Sequence, residues 1–176
     1  ALCETARGVL AAPQLAAHPD VIALMWGGED LIASLGGTSS RRADGGYRDV
    51  VRHARSSVLL AARAHARSAI DAIHTEIADE AGQRTAAEDA AASGFTATAC
   101  IHPGQVAAIR EAFLPNPAQA AWARGVLAAA EHHGTGVFTH EGRMVDAPVL
   151  RHARLLAARA DADADGPTDP GPGNHS

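Results

Sequence analysis

Val21-Ile22-Ala23-Leu24-Met25-Trp26-Gly27-Gly28-Glu29-Asp30 decides how this chain folds. Six apolar residues closed by a glycine pair are too short a run for an ordinary helix, and they predict a buried parallel strand over residues 21–26. Residues 68–73 and 96–101 are weaker versions of the same run, the second closed by Pro103. Between them lie alanine- and arginine-rich stretches of good helix formers, from about Gly46 to Ala66 and from about Asp79 to Ala92. Ala1-Leu2-Cys3-Glu4 reads as the end of one more strand. Strand and helix alternate, which predicts βα units around a parallel sheet, with the chemistry in the loops that follow the strands.

After Pro103 the pattern changes. A helix is expected from about Gly104 to Ala112, a break at Pro115-Asn116-Pro117, and a helix from about Ala118 to His132. Residues 136–139 and 143–146, separated by His140-Glu141-Gly142, have the length and the glycine of a hairpin. Pro148 then suits the first turn of a last helix running to Ala160. The Asp-, Pro- and Gly-rich tail over 161–176 has nothing large and apolar to bury, and disorder is expected there.

The chain has 176 residues, 47% of them hydrophobic, enough for one main core. The net charge of -5, with arginines scattered along the chain, gives no basic stripe and therefore no nucleic-acid partner. All 15 basic residues are Arg. Without a side-chain primary amine, Schiff-base chemistry and a P-loop lysine are excluded for this chain. Cys3 and Cys100 form no disulfide framework and have no metal-type spacing, so a reducing compartment, the cytoplasm, is expected. No apolar run is long enough for a membrane span, and no membrane partner is expected.

Two acids stand out by position. Glu4 follows the opening strand, and Asp30 follows Gly27-Gly28-Glu29 at the end of the best strand. Neighbouring parallel strands would bring them together, and two carboxylates with open positions left for water and substrate oxygens suit Mg²⁺. Equally, both could cap the helices that follow them. Gly27-Gly28 lets backbone N–H groups approach an anion at the start of a helix near Asp30, or simply makes a tight strand-to-helix turn.

Glu4-Thr5-Ala6-Arg7-Gly8-Val9-Leu10, Gly27-Gly28-Glu29-Asp30-Leu31 and Ile101-His102-Pro103-Gly104-Gln105 occur in an order and spacing that resembles the citrate lyase beta-subunit-like family of the HpcH/HpaI aldolase superfamily. Ala69-Ile70-Asp71, Gly94-Phe95, Phe113-Leu114-Pro115 and the segment Gly142 to Pro148 extend the match to about Ala160. The resemblance implies an α/β fold, a TIM (β/α)8 barrel of the phosphoenolpyruvate/pyruvate type. Only its C-terminal half is present, over residues 1–115, followed by a helix-hairpin-helix extension over 116–160 used in oligomerisation.

It further implies Mg²⁺ held by Glu4 and Asp30, substrate contacts from Gly27, Gly28, Glu29 and His102, and Asp146 as a base reaching a neighbouring subunit. The implied reaction joins or splits an acyl-CoA and a 2-oxo acid, with malyl-CoA or citramalyl-CoA as the type of substrate. The alternatives are a citrate lyase beta subunit working with an acyl carrier protein, a malyl-CoA thioesterase, or a truncated, inactive paralogue that binds partners. A homo-oligomer, trimer or hexamer, is expected, and the chain reads as a piece of a longer protein. Thr98 stands where the family usually has lysine, which removes a charge that would help hold the CoA phosphates.

Overall fold

The structure is a computed structural model that describes residues 1–133 and 136–164. The chain divides into two compact units, Ala1–Phe113 and the residues from Leu114 onward.

The first unit begins with strand β1 (Leu2–Cys3), the short helices α1 (Ala6–Leu10) and α2 (Ala12–Ala17), and strand β2 (Ala23–Trp26). Helices α3 (Gly28–Ser34) and α4 (Asp49–Ala64) lead to β3 (Ser68–Asp71), α5 (Glu80–Ser93) and β4 (Ala97–Thr98). A 3₁₀ turn at Pro103–Gln105 passes directly into α6 (Val106–Phe113). Local signals explain several boundaries. The Thr5 hydroxyl accepts from the Gly8 N–H at 3.0 Å and starts α1. Gly94, at φ 105°, ends α5 in the left-handed conformation, and the Phe95 N–H turns back to the Ala90 carbonyl at 3.0 Å.

The four strands form one parallel sheet in the order β1-β2-β3-β4. Its register sorts the side chains into two faces. Cys3, Leu24, Trp26 and Ala69 point into the helical layer and are buried with Val51, Ala54, Val58 and Ala62 of α4. Leu2, Met25, Ile70 and Ala97 make a row across all four strands on the other face, and each of them is less buried.

The run 21–26 is therefore not buried throughout. The strand starts at Ala23, alternate residues are partly open, and Ile22 is 79% exposed, because the helices of this unit cover one face of the sheet. The strand expected over 96–101 pairs only at Ala97–Thr98. Beyond Ala99 the backbone N–H groups of Ile101 and His102 turn to the Gln105 side chain instead of a neighbouring strand.

The second unit packs α7 (Pro117–His133) and α8 (Ala147–Ala164) with a hairpin of β5 (Phe138–His140) and β6 (Arg143–Val145). Ala123, Val126, Phe138, Val145, Leu150, Ala153 and Leu156 form its core. Glu141 and Gly142, both at positive φ, make the turn. The expected disorder from 161 onward is corrected in part. Alternating Ala and Asp contain no helix breaker, Arg124 holds Asp161 at 2.9 Å, and α8 continues to Ala164. The rest of that tail, 165–176, lies outside the described residues. Among the described residues no helix is long and apolar enough to cross a membrane.

Candidate functional site

Pairing of Leu2 with Met25 and of Cys3 with Trp26 brings Glu4 level with Gly27, one residue past each strand. A Cβ placed on Gly27 would lie 3.4 Å from Glu4 Oε2 and 3.7 Å from Asp30 Oδ2. Two carboxylates drawn from different βα units thus face one small space that glycine keeps open. Among the described residues no third His, Cys, Asp or Glu joins them in a metal-binding cluster. Two hard oxygen donors with the remaining positions open match a cation that keeps part of its water shell, as Mg²⁺ does, and the absence of sulfur or imidazole disfavours Zn²⁺. The residues present therefore fit Mg²⁺.

The neighbouring residues have distinct placements. Helix α3 starts at Gly28, two residues earlier than expected from the sequence. Gly28 is buried, and a Cβ there would touch the Trp26 ring and Val51 at 3.4 Å, so its small size serves packing beneath the turn. Glu29 accepts a 2.5 Å hydrogen bond from the buried Ser40 hydroxyl, which ties the first turn of α3 to the loop before α4.

His102 lies in the loop after β4. Its Nδ1 accepts from the Gly104 N–H at 3.0 Å, which fixes the proton on Nε2 when the ring is neutral. Gln105, buried beneath it, accepts from the Ile101 and His102 N–H groups and donates to the His74 carbonyl at 3.0 Å, so the loops after β3 and β4 share one clamp. The Thr98 hydroxyl is buried and has no hydrogen-bond partner among the described residues. Asp146 belongs to the second unit, where its Oδ1 accepts from the Val149 N–H at 3.1 Å and caps α8.

Sequence reasoning did not find the polar group that lies beneath this turn. Asp71, the last residue of β3 and 6% exposed, accepts from Trp26 Nε1 at 2.6 Å and from its own neighbour's N–H at Ala72. Arg55 of α4 reaches the same carboxylate through Nε and Nη2, the latter at 2.7 Å, and Asp89 of α5 through Nη1 at 2.7 Å. The guanidinium also lies 4.9 Å from the centre of the Phe95 ring. Burial works against its charge, but hydrogen bonds and attraction from Asp71 and then Asp89 outweigh that and hold its pKa above the ordinary value. The available signal was an acid closing an apolar strand. Its partner is one of three arginines on α4, and nothing local singles it out. Beside this group opens a cavity of about 690 Å³ whose walls include Arg41, Tyr47, Asp71, His74 and Thr98.

Successive parallel βα units with acids gathered past the strand ends define an α/β protein of the TIM-barrel type, whose reactions take place at that end of the sheet. The model of the HpcH/HpaI aldolase/citrate lyase family matches residues 1–103, and the chain belongs to that family. It is 54% identical over 160 residues, 91% of this chain and 58% of the relative, to a citrate lyase subunit beta-like protein of Mycobacterium tuberculosis. It is 36% identical over 91% of its length to the mitochondrial citramalyl-CoA lyase of Rattus norvegicus, of which it covers 46%. Among solved structures, the Mycobacterium tuberculosis protein CitE in complex with magnesium, acetoacetate and coenzyme A superposes with a TM-score of 0.84 at 54% identity, over 91% of this chain and 60% of that one. The chain thus spans about half to three-fifths of the length of these relatives.

Proposed function

We propose that this chain carries the metal-binding half of a Mg²⁺-dependent carbon–carbon lyase that splits or forms a short 3-hydroxyacyl-CoA of malyl-CoA or citramalyl-CoA type, giving an acyl-CoA and a 2-oxo acid. The observation that carries this reading is the convergence of Glu4 Oε2 and Asp30 Oδ2 on the space above Gly27. Glu4 and Asp30 would hold the ion. Bound there, Mg²⁺ supplies positive charge for the carboxylate and developing carbonyl of the 2-oxo acid. The similarity to a citramalyl-CoA lyase, and to a protein crystallised with magnesium, acetoacetate and coenzyme A, supports the same substrate class.

The chain's own groups have separable tasks. Gly27 leaves room for the small acid, Gly28 lets the turn sit on Trp26, and Glu29, its carboxylate held by the Ser40 hydroxyl, contributes a substrate contact. His102 presents an Nε2–H donor to the acyl-CoA. Asp146, reaching a neighbouring subunit of a homo-oligomer, takes a proton from the acetyl methyl in the condensing direction and returns one to the acyl-CoA enolate in cleavage. Capping of α8 occupies its Oδ1 and leaves Oδ2 for that proton. The name of the Mycobacterium tuberculosis relative favours a second reading, a citrate lyase beta subunit, which a requirement for a carrier-protein thioester would reveal.

Gly27→Ala tests the carrying observation. Gly27 has an extended backbone, φ -134° and ψ 124°, which alanine adopts freely, so the fold should be kept. The added methyl enters the space between the two carboxylates, and Mg²⁺ binding measured by calorimetry should weaken at least tenfold. Glu4→Gln with Asp30→Asn should abolish it. Unchanged binding in either variant would overturn the assignment.

A further inference from the structure

We infer that Asp71 and Arg55 are positioning residues for the two carboxylates, acting through the Trp26 indole, and that Trp26 senses whether the ion is bound. The inference rests on the Mg²⁺ site proposed above and adds the part of the molecule that sets its geometry.

The chain of contacts is short and continuous. Arg55 fixes the Asp71 carboxylate through Nε and Nη2, while its Nη1 is tied to Asp89. Asp71 Oδ1 takes the Trp26 Nε1–H at 2.6 Å, a short charge-assisted bond. The ring so held lies against Gly28, which leads directly into the first turn of α3, and the Tyr47 ring meets it edge-on at 5.5 Å between centroids. Val51, one helical turn from Arg55 on α4, touches the same glycine position as the Trp26 ring. Gly27, between Trp26 and Gly28, separates Glu4 from Asp30. Because the ring packs on Gly28, displacing the indole would disturb the turn that carries Gly27 and Asp30.

A pair as buried as Arg55 and Asp71 is a weak source of net stability, because both ions give up hydration to form it. Its geometric effect is larger. It fixes an aromatic side chain at the one point where β2 becomes the metal-binding turn, the role that outer-shell partners have in tuning metal sites. Asp71 bonds to Trp26, Ala72 and Arg55, and Arg55 to Asp71 and Asp89, so both act through Trp26 rather than on a ligand.

The test uses the whole chain with Trp122→Phe, which leaves Trp26 as the only tryptophan. Titration with MgCl₂ should change the Trp26 emission along a curve that matches calorimetric binding, and Glu4→Gln should remove both signals. Asp71→Asn keeps an acceptor for the indole but removes the negative charge that pairs with Arg55, and Mg²⁺ affinity should fall about tenfold. Trp26→Phe keeps the ion pair and removes the indole N–H together with part of the ring that lies against Gly28. It covers the case in which Asp71→Asn fails to fold, and it should weaken Mg²⁺ by a smaller factor, about threefold, by calorimetry.

Calorimetric affinity unchanged in Trp26→Phe, or Mg²⁺ binding that leaves Trp26 emission unaltered, would overturn the positioning role and leave the metal site standing. Failure of the parent chain to bind Mg²⁺ at all would instead overturn the metal site, and the positioning role with it.

Discussion

The two units of this chain are held together by different physics. In the first, buried polar anchors fix the ends of the strands: Trp26 to Asp71 to Arg55 under one turn, Gln105 joining two loops, Ser40 on Glu29. In the second, apolar side chains of α7, α8 and the hairpin make the core, and the Arg124–Asp161 pair is open to solvent on both partners. A pocket of about 390 Å³ there, with Trp122, His140, Arg143 and His152 among its lining residues, has no carboxylate among the described residues that line it. Apolar packing gives a stable shape but tolerates small shifts. A constellation of charged groups needs the sub-ångström definition that directional hydrogen bonds supply.

The contrast can be broken most decisively at the buried anchor. Asp71→Ala leaves Arg55 largely buried without its main partner and should cost about 3 kcal/mol or more in urea unfolding of the first unit. In the second unit Phe138→Ala should cost about 3 kcal/mol through a cavity. Because Glu4, Gly27 and Asp30 all come from the first unit, that change should leave Mg²⁺ affinity within about twofold at a temperature where the variant is folded. A larger loss would mean that the proposed metal site depends on the second unit.

Asp146→Asn sharpens the comparison at one residue. Asparagine caps a helix as well as aspartate, so stability should change by a few tenths of a kcal/mol at most. Activity should fall about a hundredfold or more if the carboxylate is the base. Equal stability with full activity would reduce Asp146 to a cap. The smallest effect belongs to the surface pair, where Arg124→Ala should cost about 0.5 kcal/mol or less.

The cysteines give a pH-dependent check on the first unit. Cys3 is buried and burial raises its pKa, whereas Cys100 is exposed. At neutral pH a thiol reagent should label Cys100 quickly and Cys3 only on unfolding. The unfolded thiol ionises near about pH 8.5, while the folded Cys3 stays protonated above that value. Its contribution is thus fully present below pH 8.5 and is lost as pH rises from there through the folded pKa, and Cys3→Ala should flatten that alkaline loss.

Much of this was legible in the residues themselves. The apolar run ending in Gly27-Gly28, the helix formers after it and the turn at Glu141-Gly142 are local signals, so the βα alternation and the hairpin could be read directly. Glu4 and Asp30 could be named as a pair because parallel neighbours place strand ends side by side, a consequence of topology that sequence alone can anticipate. The strand over 96–101 was overestimated because Ile101 and His102 pair with Gln105, a side chain that propensity does not weigh.

What the sequence determined, then, is the periodicity of the elements, the absence of lysine chemistry and the placing of two acids past two strands. Tertiary structure alone decided that Arg55 would meet Asp71 and that Asp71 would hold Trp26. Those three residues come from one helix and two strands, separated by 16 and 45 positions. No local pattern encodes such a meeting, because it depends on how α4 lies across the sheet, and that is set by the burial of Val51, Ala54, Val58 and Ala62 together.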